Sequence, residues 1–225
     1  MSEPRRIAVL ASGGLDSCVL LADLAASAEV FPIYVQFGLA WEAEEAVALR
    51  SFIAAVGNPR IHPLTLLQTP VAPMYGDHWS MTGRGIPGAE APDSAVFLPG
   101  RNVLLLAAAG VWCGTHNAGE IAIGSLGGNP FPDATPEFFA DFGRLLSVGL
   151  GHPVQVIAPY RGMHKHDIIQ RHRDLPLELS QTCMQPKLGV HCGACNKCHE
   201  RQVAFHTAGV PDRTRDASEN RALHG

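Results

Sequence analysis

The start of the chain holds the feature that most constrains its fold, an apolar run that breaks abruptly into a serine and two glycines. The apolar run covers residues 7–11, the turn reads Ser12-Gly13-Gly14, and an apolar helical pattern follows over residues 18–24. This order predicts a buried strand, a tight turn and a helix. Glycines let the backbone adopt dihedral angles that are closed to other residues and approach a ligand closely.

The chemistry of this turn predicts an anion site. We expect the hydroxyl groups of Ser12 and Ser17 and the free N–H groups of the first helical turn to face one point, at the positive end of the helix dipole. The turn differs from the G-x-x-x-x-G-K-[ST] loop, because it has no terminal lysine and only two adjacent glycines. A carboxylate such as that of Asp16 is expected beside phosphates when a hard cation such as Mg²⁺ bridges the carboxylate and the phosphates. The alternative interpretation is a glycine-rich turn that binds no ligand.

Strand and helix patterns alternate after this turn. Strands are predicted over residues 30–37, 61–66, 120–124 and 154–158, and helices over residues 40–56, 103–112 and 164–172. A further helix is predicted with Thr135 as its N-cap and Pro136 in its first position. This alternation predicts an α/β fold with a doubly wound, mostly parallel sheet, whose ligands lie at the carboxyl ends of the strands. We predict one α/β domain over residues 1–178 and a separate C-terminal segment over residues 179–225.

Three stretches carry more specific expectations. The helix over residues 40–56 is expected to place Glu42, Glu44, Glu45 and Arg50 in solvent and Ala48, Leu49, Phe52 and Ile53 inward. Residues 67–95 interrupt the alternation, and a loop of this length is expected to be a lid or a substrate-side excursion. The polar tail after Pro211 is expected to be loosely held.

Four cysteines near the C-terminus have the spacing of a metal site. They read Cys183-x₈-Cys192-x₂-Cys195-x₂-Cys198. Four thiolates suit a closed, tetrahedral Zn²⁺ site with a structural role. The alternatives are an iron–sulfur cluster, although the run lacks the Cys-Pro ending of ferredoxins, and reduced or redox-active thiols. We expect His191 and His199 to be solvated neighbours, and Cys18 and Cys113 to be small buried hydrophobic residues.

Composition narrows the classes of partner and location. The chain has 225 residues, 46% of them hydrophobic and 17% charged, which suits a globular α/β core. Its net charge of −4 does not favour stable binding to nucleic acid or to an anionic membrane. Apolar runs stay well short of the about 18 residues that span a bilayer. The N-terminus leads into a strand without a separate apolar signal segment, so we expect a cytoplasmic protein.

Four motifs in one order resemble those of the 7-cyano-7-deazaguanine synthase family, within the ATP pyrophosphatase (PP-loop) superfamily. They are SGGLDS at residues 12–17, FLPGRN at residues 97–102, PDATPEF at residues 132–138, and the cysteine run. The first motif is shared with many adenylating enzymes, whereas its combination with the cysteines is more specific. The resemblance extends over residues 7–212.

The resemblance implies an ATP-dependent carbon–nitrogen ligase in queuosine biosynthesis. In that family the carboxylate of 7-carboxy-7-deazaguanine is adenylated by ATP, ammonia displaces AMP to give an amide, and a second ATP drives dehydration to the nitrile. Adenylation turns a poor leaving oxygen into a good one, which leaves positioning and charge stabilisation to the enzyme. ATP with Mg²⁺, a structural Zn²⁺ and a homodimer are further implications of the resemblance.

The resemblance also implies roles for individual residues. The residues expected to bind ATP are Leu10, Ala11, Ser12, Gly13, Gly14, Leu15, Asp16 and Ser17, the last two with catalytic roles. Arg101 is expected to stabilise negative charge near the adenylate, and Lys165 to contact phosphate. The expected substrate residues are Gly38, Asn102, Asp133 and Glu137, of which the two acids would accept hydrogen bonds from a purine-like ligand. The alternatives are a surface position for the two cations and helix capping for Asn102 and the two acids.

The sequence departs from the family pattern on the expected substrate side. The polar stretch with Gln, Arg and His that usually follows Gly38 is replaced by Leu39-Ala40-Trp41. The cysteine and arginine that usually follow the aspartate of the third motif are replaced by Ala134 and Thr135. A paralogue that activates a different carboxylate is therefore one alternative. A PP-loop tRNA sulfur transferase, which would need a reactive cysteine outside the metal set, and a nucleotide-binding protein without activity are the others.

Overall fold

Five parallel strands form the sheet on which the site is built. The structure is a computed structural model and describes residues 4–217. The strands are β1 (Arg6–Leu10), β2 (Glu29–Gln36), β3 (Thr65–Gln68), β4 (Glu120–Ile123) and β5 (Gln155–Ile157). They lie in the order β3-β2-β1-β4-β5, and Val9 of the central strand pairs with Pro32 on one side and Ala122 on the other. The predicted parallel α/β sheet is confirmed.

Helices cover both faces of this sheet. They are α1 (Leu15–Leu24), α2 (Glu42–Val56), α3 (Ala72–Tyr75), α4 (Trp79–Thr82), α5 (Arg101–His116), α6 (Pro136–Leu150), α7 (Lys165–Arg171) and α8 (Asn196–Ala208). Ile7 and Val9 of β1 belong to the core layer under α1, α2, α7 and α8, whereas Ala8 and Leu10 belong to the layer under α5 and α6. The sheet is therefore doubly wound, as predicted. Within residues 4–217, no helix combines the length and the apolar character that crossing a membrane requires.

Element boundaries follow local signals where these are strong. The hydroxyl of Thr135 accepts a hydrogen bond from the Phe138 N–H at 3.1 Å, with Pro136 in the first position of α6, so the predicted cap is confirmed. The third strand begins at Thr65, later than predicted, because Ile61 makes an isolated bridge to Val30 outside the regular ladder.

Two glutamates of α2 contradict the expected solvent face. Glu42 and Glu45 are each only 7% exposed. The Glu42 carboxylate accepts hydrogen bonds from the N–H groups of Phe37 and Gly38 at 2.5 and 2.9 Å. A carboxylate can be buried at this position because backbone donors at the end of β2 compensate for the lost water. Leu49 is buried as predicted.

The C-terminal segment packs onto the turn after β1. The Gln181 N–H donates to the Gly13 carbonyl at 2.7 Å. Arg201 of α8 is 2% exposed and donates to Asp212 Oδ2 at 2.6 Å and to Thr214 Oγ1 at 2.7 Å. The prediction of a loosely held tail is thus wrong for residues 212–217, and the rest of the tail lies outside the described residues.

Two other sequence-based expectations concern this neighbourhood. His191 is buried rather than solvated, whereas His199 is exposed as expected. Residues 67–95 run against α8, since the Asn196 N–H donates to the Pro87 carbonyl at 3.0 Å and the Asn196 amide to the Ala91 carbonyl at 2.9 Å. The excursion therefore lies beside the cavity described below, and its movement as a lid stays a prediction.

Candidate functional site

The turn after β1 forms a cradle of backbone and hydroxyl groups. Helix α1 begins after Gly14 with no side-chain cap; the Gly14 N–H donates to Ser12 Oγ at 3.4 Å, and no bond to a described side chain is seen for the N–H groups of residues 15–17. Ser17 Oγ accepts from the Ser12 N–H at 3.2 Å and donates to the Gly14 carbonyl at 3.0 Å. These bonds close the turn around the positive end of α1, where the helix dipole favours an anion.

Two glycines allow the elements of this cradle to approach one another. Gly13 has a φ of +83°, and a Cβ atom there would lie 2.5 Å from the Glu45 carbonyl oxygen of α2. Gly124, which follows β4, would place a Cβ atom 3.2 Å from the Asp16 backbone. Gly13 therefore needs to be glycine for a structural reason, whereas a side chain at Gly124 would require a small shift of the neighbouring Asp16 backbone.

A row of charged side chains extends from the cradle. Lys165 Nζ lies 3.2 Å from Asp16 Oδ2 and 2.6 Å from Glu200 Oε1, and Lys197 Nζ lies 2.6 Å from Glu200 Oε2. Burial raises the pKa of Asp16 above its ordinary value, against the effect of Lys165. Burial alone would lower the pKa of Lys165, but the carboxylates of Asp16 and Glu200 raise it. Although burial opposes the shift, Lys165 and Lys197 lower the pKa of Glu200 to about 2.

The cradle and this charged row open into a cavity of about 760 Å³. Among the described residues, seven buried side-chain nitrogen or oxygen atoms have no hydrogen-bond partner. Five of them belong to residues that line the cavity, namely Asp16 Oδ1, Arg101 Nε, Ser125 Oγ, Thr182 Oγ1 and Asn196 Oδ1. Because buried polar atoms almost always have partners, residues with such atoms around one cavity give it a lining that suits a polar ligand.

The structure brings the predicted cations to this cavity but not all of the predicted substrate residues. Arg101, Asn102 and Lys165 line it, whereas Gly38, Asp133 and Glu137 do not. Asp133 Oδ2 accepts from the Asn102 N–H at 3.1 Å, and the Asn102 amide donates to the Asp133 carbonyl at 2.9 Å. Asp133 therefore caps the start of α5, and Glu137 lies exposed on α6.

Glu45, like Lys197 and Glu200, is one of the residues at the cavity whose position was not predicted from the sequence. Its carboxylate accepts from the Tyr34 hydroxyl at 2.7 Å and from the Trp41 Nε1 at 3.1 Å, and it lines the cavity. Burial raises the pKa of Glu45 to about 7, with Arg101 opposing and Glu42 adding to the shift. The available signal was its place four residues after Trp41, the N-cap of α2, because positions four apart at a helix put two side chains side by side.

The four predicted metal-ligating cysteines come together. The Sγ atoms of Cys183, Cys192, Cys195 and Cys198 all lie within 4.8 Å of one another, and those of Cys192 and Cys198 are 3.9 Å apart. Sulfurs bound at about 2.3 Å to one tetrahedral Zn²⁺ would be about 3.8 Å apart. The Gln185 and Cys192 N–H groups each donate to Cys183 Sγ at 3.2 Å, which favours the thiolate form. The cluster therefore fits a single metal ion, next to the start of α8.

The fold and the site together define the class of this protein. A parallel α/β sheet, an anion cradle after its central strand and an adjoining polar cavity are the features of a PP-loop type of protein, here with a separate four-cysteine cluster. The sequence model of the family described as "Queuosine biosynthesis protein QueC" matches residues 6–209. The chain belongs to this family, which confirms the resemblance inferred from its motifs.

Individual relatives agree with this assignment over nearly their full length. A relative from Aromatoleum aromaticum is 32% identical over 95% of this chain and 99% of its own length. One from Methanothermobacter thermautotrophicus is 30% identical over 93% of this chain and 98% of its own length, and one from Syntrophobacter fumaroxidans is 32% identical over 94% and 96%. All three are named 7-cyano-7-deazaguanine synthase.

Proposed function

We propose that this chain is a 7-cyano-7-deazaguanine synthase, an ATP-dependent carbon–nitrogen ligase that converts 7-carboxy-7-deazaguanine and ammonia to the nitrile. Family membership supports formation of the nitrile, and the cavity beside the anion cradle supports the use of a nucleotide. The observation that carries the proposal is the set of five unpartnered polar atoms around one cavity beside the anion cradle. A nucleotide and a polar heterocyclic acid together would supply partners for such a set.

The residues of the cradle have defined tasks in this proposal. Residues 10–17 bind the ATP phosphates, while Lys165 and Arg101 offset negative charge as pyrophosphate leaves. A carboxylate oxygen attacks the α-phosphorus with loss of pyrophosphate, and ammonia then attacks the acyl carbon with loss of AMP. The amide oxygen attacks a second ATP, again with loss of pyrophosphate. Departure of AMP and of the two nitrogen-bound protons leaves the nitrile.

Two metal ions fit the residues present. Asp16 would hold Mg²⁺, because its Oδ1 is buried next to the cradle without a hydrogen-bond partner and carboxylate oxygens suit this hard cation. Mg²⁺ supplies positive charge that neutralises the phosphates. We assign a structural Zn²⁺ to Cys183, Cys192, Cys195 and Cys198, since four sulfurs leave no open coordination position.

The structure does not favour the sulfur transferase alternative. That chemistry needs a thiol with a lowered pKa at the active site. Outside the metal set the chain has Cys18 and Cys113, both of which are buried as predicted and neither of which lines the cavity. Burial raises the pKa of both thiols, that of Cys113 to about 12.

The test is turnover by the purified, metal-loaded protein. The protein is incubated with ATP, Mg²⁺, ammonium and 7-carboxy-7-deazaguanine, and the products are followed by mass spectrometry. The expected products are the nitrile and AMP. Asp16→Asn should lower the rate at least about 100-fold, because its carboxylate serves the phosphates. Asp23→Asn is the matched control on the same helix, since Asp23 accepts from the Tyr160 hydroxyl at 3.0 Å and does not line the cavity. Wild-type protein that binds ATP yet leaves the acid unchanged would contradict the substrate assignment, and a product other than the nitrile would contradict the complete reaction.

We also propose that the enzyme works in the cytoplasm as a homodimer, as the family resemblance implies. Light scattering on the purified protein tests the second point. A mass close to the 24.0 kDa of one chain at assay concentration would contradict it.

A further inference from the structure

Glu45 lines the cavity and has a buried carboxylate whose hydrogen-bonding capacity is only partly used. Tyr34 donates to Oε2 and Trp41 to Oε1, so each oxygen already accepts one bond. An ionised carboxylate accepts up to about four hydrogen bonds, two at each oxygen. One acceptor position is therefore left on each oxygen of Glu45. The two bonds in place also fix the orientation of the carboxylate, because its donors come from β2 and from Trp41, the residue just before α2.

Aromatic surface lies beside this carboxylate. The rings of Trp41 and Trp79 stack with their centroids 5.7 Å apart and their planes 14° apart, and both residues line the cavity. Trp41 is buried, whereas Trp79 is half-buried. A flat ring and a two-oxygen acceptor side by side suit a planar heterocycle that has two neighbouring N–H donors on one edge.

We propose that Glu45 binds the pyrimidine edge of the acid substrate, with one oxygen accepting from the ring N–H and the other from the exocyclic amino group. The ring lies against Trp79. This inference rests on the proposed function and assigns to Glu45 the role that the sequence motifs suggested for Asp133 and Glu137. Adenine fits less well, because its amino group is next to an unprotonated ring nitrogen whose lone pair would face the second oxygen.

Binding measurements with matched ligands test the proposal. The two ligands are 7-carboxy-7-deazaguanine and the same acid without its 2-amino group, titrated into the metal-loaded protein by calorimetry. A hydrogen bond to a charged group corresponds to about 10- to 100-fold in affinity, so wild-type protein should prefer the amino compound by that factor. Glu45→Gln should reduce the preference to less than about threefold, because an amide presents one acceptor oxygen and one donor.

Two variants serve as controls. Glu44→Gln changes the neighbouring, half-buried residue of α2 that does not line the cavity, and it should keep the preference. Glu137→Gln tests the alternative acceptor on α6. ATP affinity and the unfolding temperature of each variant show whether the protein is folded, and Glu45→Gln should bind ATP as wild type does.

Each result has one meaning. The role of Glu45 is overturned if wild-type protein binds the two ligands equally well. It is also overturned if the preference is lost in Glu137→Gln and kept in Glu45→Gln. In both cases nitrile formation by wild-type protein leaves the proposed function intact. A folded Glu45→Gln variant that loses ATP binding but still prefers the amino compound would place Glu45 at the nucleotide. This result would also overturn the inference. If wild-type protein neither binds nor converts either acid, the proposed function itself fails.

Discussion

Replacement of Gly13 by alanine should destabilise the protein in a way that can be worked out from the turn. The backbone at Gly13 has a φ of +83°, which costs an alanine about 1–2 kcal/mol. The added Cβ atom would also lie 2.5 Å from the Glu45 carbonyl oxygen and 3.3 Å from the Leu49 nitrogen, so α2 must shift away from the turn. Strain and displacement together should lower the free energy of unfolding by about 2–4 kcal/mol.

The adjacent glycine provides the control. Gly14 has a φ of −67°, and an added Cβ atom would meet Ser12 Oγ at 3.4 Å, an ordinary contact. Alanine is a poorer N-cap than glycine, which destabilises the folded protein, but it also lowers the conformational entropy of the unfolded chain, which stabilises it. Because these effects oppose each other, Gly14→Ala should change the free energy of unfolding by less than about 1 kcal/mol. Urea denaturation of metal-loaded protein measures both values. Equal losses in the two variants, or a stable Gly13→Ala protein, would refute the packing of the turn against α2.

Three further perturbations probe the charged row, the metal cluster and the cavity. Lys165→Met should lower turnover by about 100-fold or more, because it removes the ammonium beside Asp16. Lys197→Met should lower turnover by about tenfold or less, because that ammonium contacts Glu200 at the far end of the charged row. Similar losses in both variants would contradict this order. Cys192→Ser should lower the metal content found by mass spectrometry below one ion per chain and lower the unfolding temperature, and an unchanged metal content would exclude that cysteine as a ligand. Because burial raises the pKa of Glu45 to about 7, its ionised form is lost as the pH falls, so the KM for the acid should rise between about pH 8 and about pH 6, and a rise of the same size in Glu45→Gln would assign it to another group.

The features that the sequence predicts well are those encoded by neighbouring residues. The turn after β1, the cap at Thr135 and the cysteine run each depend on a few consecutive side chains, and the structure has all three. Strand and helix alternation likewise predicts the parallel sheet, because crossover geometry leaves few other arrangements.

The features that the sequence does not predict depend on how the strands, turns and helices pack against one another. Glu42 and Glu45 look solvent-exposed in a helical pattern, yet donors from β2 and from Trp41 allow them to be buried. The contact of Lys165 with Glu200 likewise joins two helices whose packing no local pattern specifies. For Asp133 the sequence left ligand binding and helix capping open; Asp133 caps α5, and its contact with a ligand stays a prediction.

The most direct test of the proposed reaction is its stoichiometry with ¹⁵N-labelled ammonium. Wild-type protein given ATP, Mg²⁺ and 7-carboxy-7-deazaguanine should release two AMP and two pyrophosphate for each nitrile formed, and the product should carry one ¹⁵N atom. AMP release without ¹⁵N in the product, or conversion of ATP to ADP and phosphate, would contradict adenylation of the acid at this site.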